Sequence, residues 1–167
     1  MSSWRVVLIG EAGAIFEDLI ESGQVDKLAD AKQIAGLKAT QDVLARDYLK
    51  AMRIRTLIRT AFSELFFHAD ILLSPARNGI AGKVADPLDR PAVSSSAPSA
   101  PRARGLQGLI PAGNLAGLPA LCLPCGLAAN MPVAVQLVSR PFNENTLLAF
   151  GKQYQSQTDW HARRPPA

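Results

Sequence analysis

Apolar residues recur along this chain with two different periods. Between Gln41 and His68, the residues Leu44, Tyr48, Ala51, Leu57 or Ile58, Phe62 and Leu65 return at close to helical spacing. That pattern predicts a long helix with one buried side. Arg46, Lys50, Arg53, Arg55 and Arg59 make its other side basic. Nearer the start, Trp4, Val7, Leu8, Ala12, Ile15 and Leu19 share a helical face within Trp4–Glu21, and Gly23 is placed to end that helix. Gly10 and Gly13 weaken it, since each glycine in a helix costs about 1 kcal/mol relative to alanine. A short helix is expected over Asp30–Thr40, interrupted at Gly36.

The second period is short and strand-like. Asp70-Ile71-Leu72-Leu73-Ser74 reads as a strand ended by Pro75, and Leu118–Leu123 and Val133–Val138 are apolar runs bounded by Pro and Gly. Between the last two lie Pro124-Cys125-Gly126 and a small turn, Ala128-Ala129-Asn130. Gln136 is the one strongly polar side chain inside either run, which suits a sheet covered on both faces. Pro141 closes the last strand, and Asn143 opens an amphipathic helix with Thr146 three residues on. The expected fold is α/β: a mixed β-sheet, holding at least Ile71–Leu73, Leu118–Leu123 and Val133–Val138, covered by helices.

Composition narrows the class. With 48% hydrophobic and 19% charged residues, the chain is neither a disordered nor a coiled-coil protein. The apolar run Val6–Ile9 is too short for a signal peptide or a membrane span. Two cysteines without a secretion signal point to a reducing cytoplasm. The Pro-, Ser- and Ala-rich stretch Pro91–Arg104 is expected to be a mobile loop.

Few residues stand out as chemistry. Cys122 and Cys125 form a C-x-x-C, but a structural zinc site needs four ligands and only His68 and His161 could complete it. Nothing in the sequence brings those histidines to the pair, so the cysteines are read as buried small side chains, with no metal and no cofactor expected. His68 is read as closing the long helix, and His161 as an anchor packing the tail. The basic helix lacks an aromatic platform or a recognisable motif, so nucleic-acid binding is not expected.

Several strings in order carry a resemblance. NLAGLPALCLPCG, PVAVQLVSRPFNENTLL and TDWHARRPP resemble the C-terminal end of the amidase signature family. Upstream, DYLKAMRIRTLIRTAF and DILLSPA resemble that family's long helix and following strand. The resemblance covers nearly the whole chain, most weakly at Lys27–Thr40 and Arg77–Arg104, yet only about the last third of a typical member. It implies that residues 1–167 are the C-terminal part of a single amidase signature domain, and Met1 looks like the beginning of a fragment or truncated gene product.

The implied activity is hydrolysis of carboxylic amides to acid and ammonia or amine. In the family a serine nucleophile works through a second serine, in a cis peptide, and a lysine base. Ser94-Ser95-Ser96 lacks the accompanying glycines, so none of these roles is carried onto this chain, which alone is expected to be inactive. A small-molecule amide is expected to bind only with the missing N-terminal portion. Gln107 and Asn114 are the implied substrate-side positions.

The resemblance also covers the glutamine-hydrolysing A subunit of a tRNA-dependent amidotransferase, which carries an acidic residue some seven positions before the N-L-A-G turn. Here that position is the neutral Gln107, and DAKQIAGLKA lacks the family branch's substrate arginine, which favours a general amidase. A non-catalytic binding or structural module is the third reading. Self-association is expected through uncovered apolar side chains such as Leu44, Phe62, Leu118 and Val135.

Overall fold

The computed structural model describes residues 3–77, 79–82 and 109–164. The Pro-rich stretch 91–104 and the triple serine lie outside them. The chain divides into two compact units, Met1–Ala61 and Phe62–Ala167.

The first unit is helical. It holds α1 (Ser3–Ile15), α2 (Glu17–Glu21), a 3-10 turn at Gln24–Lys27, α3 (Ala31–Lys38), a second 3-10 turn at Ala39–Asp42 and most of α4 (Ala45–Leu65). The helix expected over Trp4–Glu21 is present but divides at Phe16, and Gly23 follows it with φ of 71°. Gly10 and Gly13 are places of close approach. A Cβ at Gly10 would lie 2.9 Å from the Tyr48 ring, and one at Gly13 would lie 3.0 Å from Thr40 Oγ1. The helical penalty of both glycines is therefore offset by tight packing. Asp30 caps α3, its carboxylate accepting from Lys32 N–H at 2.8 Å. Gly36 does not interrupt that helix, contrary to the sequence expectation, because α3 continues through it to Lys38.

Along α4 and the turn after it, the expected face is covered in the middle but not at its ends. Ala51, Phe62 and Phe66 are buried and Ile58 is half-buried, whereas Leu57 and Leu65 face solvent. Among the four side chains expected to lie uncovered, Leu44 is exposed, but Phe62 is buried and Leu118 and Val135 are half-buried. Phe62 stacks on Phe66 one turn on, with ring centroids 6.4 Å apart.

Among the described residues the second unit holds a three-stranded sheet in the order β1-β3-β2, comprising β1 (Leu72–Pro75), β2 (Ala120–Ala128) and β3 (Met131–Val138). All three expected strands are found, and both pairings among them are antiparallel. With α6 (Glu144–Gln157) packed on β2, the class is α/β. Leu123, Leu137 and Leu147 form the core here, with Ile71, Leu121, Val135 and Tyr154 packed around them. Gly151 lets α6 settle on the sheet, since a Cβ there would lie 2.7 Å from Leu121 Cδ2. Gln136, Leu137 and Val138 are consecutive in β3 and all buried. Successive strand residues point to opposite faces, so β3 is covered on both, whereas β2, with Ala120 and Cys122 exposed, is not, contrary to the expectation for both runs.

Candidate functional site

The segment that carries the family-like strings begins with α5 (Leu109–Ala116). Its end explains the string N-L-A-G. Gly117 takes a left-handed φ of 76°, its N–H donates to Asn114 O at 3.2 Å, and Leu118 N–H donates to Gly113 O at 3.0 Å. This paired closure is the Schellman motif, which requires a residue free of a Cβ penalty at the position of Gly117. Asn114 is thus a helical residue in the last turn of α5, exposed to solvent. Gln107, the other implied substrate-side residue, lies outside the described residues.

From Gly117 the chain enters β2 within three residues. Pro124-Cys125-Gly126 does not end this strand, as the sequence suggested, but bulges it. Pro124 pairs with Ala134 and Gly126 with Val133, leaving Cys125 as the extra residue. A proline in a sheet is tolerated at such an irregularity because it has no N–H to give the ladder. Cys125 Sγ lies 3.6 Å from Val133 O, and Cys122, three residues before, is exposed. The reading of both cysteines as buried is corrected accordingly. Among the described residues no group of three or more His, Cys, Asp or Glu side chains gathers as a metal site would.

The hairpin reverses through Ala129 and Asn130, with φ of 48° and 59° between the paired Ala128 and Met131. Positive φ at both central residues is the turn whose twist matches that of the flanking strands. Asparagine tolerates this conformation well and alanine does not.

A polar rung crosses the sheet beyond the bulge. Ser74 on β1 and Cys122 on β2 both stand opposite Gln136 on β3, so the three side chains share one face. Ser74 is 0% exposed and its hydroxyl has no hydrogen-bond partner among the described residues. The sequence flagged Gln136 but gave no sign of Ser74, which only the strand register places beside it.

At the end of the sheet a chain of short hydrogen bonds joins three elements. Ser139 Oγ donates to Asp70 O at 2.7 Å and accepts from Asn143 Nδ2 at 2.7 Å, while Thr146 Oγ1 donates to Asn143 Oδ1 at 2.7 Å. Asn143 and Thr146 therefore do open α6, but the Asn143 side chain is spent on tying α6 to β3 rather than on capping backbone N–H groups. His68 lies just past the end of α4, its N–H donating to Leu65 O. His161 is exposed; instead of it, Arg163 pairs with Asp159 at 3.1 Å and stacks 4.0 Å over Trp160.

A model of the Amidase family matches residues 11–148, most of the chain. The chain belongs to the amidase family. Its relatives include the A subunit of the Glutamyl-tRNA(Gln) amidotransferase of Chloroflexus aggregans, 38% identical over 120 residues. The protein of the same name from Desulforudis audaxviator is 41% identical over 123 residues. In each case the match takes in 71% of this chain and 22% of the relative, so the chain spans about a fifth of the length of these proteins. A solved amidase superposes with a TM-score of 0.73 at 22% identity, over 92% of this chain and 34% of that one. That likeness shows the amidase fold. No helix among the described residues is long and apolar enough to cross a membrane.

Proposed function

We propose that this chain is the C-terminal part of one amidase domain that hydrolyses carboxylic amides to acid and ammonia or amine in the cytoplasm. The observation that carries this reading is the family match over residues 11–148, joined to the fact that the chain spans only 22% of the related amidotransferase proteins. In this reading the serine nucleophile, the bridging serine and the lysine base belong to polypeptide that this chain does not contain. The chain contributes the sheet with its α6 support and the α5–β2 corner, with Gln107 and Asn114 approaching the substrate. Alone it turns over no amide, because covalent catalysis needs a nucleophile activated by an adjacent base.

The direct test is incubation of the purified chain with an aryl amide and a serine-directed fluorophosphonate. No turnover and no labelled residue is the expected result, and labelling of one defined serine with turnover overturns it. For the substrate side, replacing the residue equivalent to Gln107 in an intact relative should alter amide preference; an unchanged preference counts against that assignment.

A second reading has its own support, since the A subunits of several Glutamyl-tRNA(Gln) amidotransferases match this chain at 37–41% identity. Here the amide would be that of glutamine. An assembled enzyme that releases ammonia from glutamine in preference to simple amides would favour this reading over the general amidase.

A further inference from the structure

Phe142 is the least economical residue in the structure. It is 97% exposed and holds a φ of 63°, left-handed backbone that a bulky side chain rarely adopts. A glycine or asparagine would relieve the strain, and any polar residue would relieve the exposure. The turn that carries Phe142 is flanked by hydrogen-bonded residues. Ser139, three residues before, is fully buried and bonded to Asp70 O, and Asn143, next in sequence, is bonded to Ser139 and Thr146.

The same bond brings a second aromatic to this end of the sheet. Phe67, three residues before Asp70, is 82% exposed. β1 begins and β3 ends here, since Leu72 pairs with Val138. Two exposed aromatic residues thus lie three positions along the chain from the two ends of one part-buried hydrogen bond, Ser139 Oγ to Asp70 O. Rigidly held, exposed aromatics are the usual anchors of a protein–protein contact, and holding them in place beforehand removes part of the ordering cost of binding.

We propose that this end of the sheet, with Phe142 and Phe67 as anchors, is a docking surface for the remainder of an amidase fold. The inference rests on the reading of the chain as part of an amidase domain. What identifies the occupant is the extent of the superposition: 92% of this chain lies on 34% of the solved amidase. The solved amidase thus has about twice as much further polypeptide beyond the matched part.

The test uses the full chain co-expressed with the Chloroflexus aggregans relative from which the matched region has been deleted. The expected result is a 1:1 complex. Phe142→Asn, which suits the left-handed backbone, should leave the chain at least as stable by thermal unfolding and weaken the complex by about 30-fold or more. Phe67→Ser should weaken it as well.

Three results would overturn the proposal: no complex, a complex indifferent to Phe142→Asn, or a chain that pairs with a second copy of itself through Phe142. Amide hydrolysis is scored separately. A Phe142-dependent complex without hydrolysis leaves the docking surface standing and removes the proposed function. Hydrolysis by a complex that ignores Phe142 does the reverse.

Discussion

Replacing Ser74 by alanine should make the second unit more stable, against the usual direction of core substitutions. The hydroxyl is fully buried on β1 beside Gln136, with no partner among the described residues. A buried polar group left without its hydrogen bond costs about 1–3 kcal/mol of desolvation. Ser74→Ala removes that cost and gives up only the dispersion contacts of one oxygen atom, each about 0.1–0.2 kcal/mol. The expected net gain is about 1 kcal/mol.

The chain has two compact units, so the assay must report on the right one. Trp4 belongs to the first unit and Trp160 to the second. In a Trp4→Phe background, urea unfolding followed by Trp160 fluorescence isolates the sheet-bearing unit. With a denaturant slope of about 2 kcal/mol/M, the midpoint should rise by about 0.5 M with the slope unchanged. A fall of similar size would refute the reasoning, because it would mean that the hydroxyl makes a hydrogen bond worth keeping.

The glycines of the first unit should respond in opposite directions. Gly13→Ala gains about 1 kcal/mol of helix propensity but drives a Cβ to within 3.1 Å of Thr40 Cβ, and overpacking of this kind costs about 1–3 kcal/mol, so thermal unfolding should show net destabilisation. Gly36→Ala meets nothing within 4 Å and should stabilise by up to about 1 kcal/mol; a result in which the two agree in sign contradicts the contact geometry. In the hairpin, Ala129→Asn with Asn130→Gly should add about 1 kcal/mol by lifting the left-handed penalty on alanine, and a loss measured by the Trp160 signal would argue against this turn. The Tyr48 phenol donates to Glu11 Oε1 at 2.6 Å, and that bond, with burial and the carboxylate's charge, raises its pKa above the ordinary phenol value. The associated stability is therefore fully present below about pH 10 and disappears as pH rises through the folded-state value. The difference in ultraviolet titration between the chain and Tyr48→Phe should place this ionisation above pH 10, and a transition below it would contradict the bond.

The elements were legible in the sequence wherever a single period or breaker decides them. Val133–Val138, the end of the first helical region at Gly23 and the start of α6 at Asn143 all follow from local chemistry. What was not legible depends on partners distant in sequence. The glycines at positions 10 and 13 look like helix defects until Tyr48 and Thr40 are seen against them. The string Pro124-Cys125-Gly126 reads as a stop because two breakers normally end a strand, yet opposite β3 it becomes a bulge. Of the site, Gln136 could be singled out as a polar residue in an apolar run. Ser74 could not, because its isolation is a property of register and not of composition.

The position of β3 between its two neighbours has a consequence for the order in which the sheet assembles. β2 reaches β3 through a two-residue reversal, so their ladder closes with almost no loop entropy, on the microsecond scale of hairpins. β1 reaches the other edge of β3 only after everything from Ala76 to Asn130 has been gathered in, and that longer closure is entropically dearer. On a ribosome the difference is sharper still, because β1 emerges long before its partner exists. Until Met131–Val138 appears, Leu72–Pro75 has no strand among these to pair with, and its backbone edge is open to any other extended segment nearby.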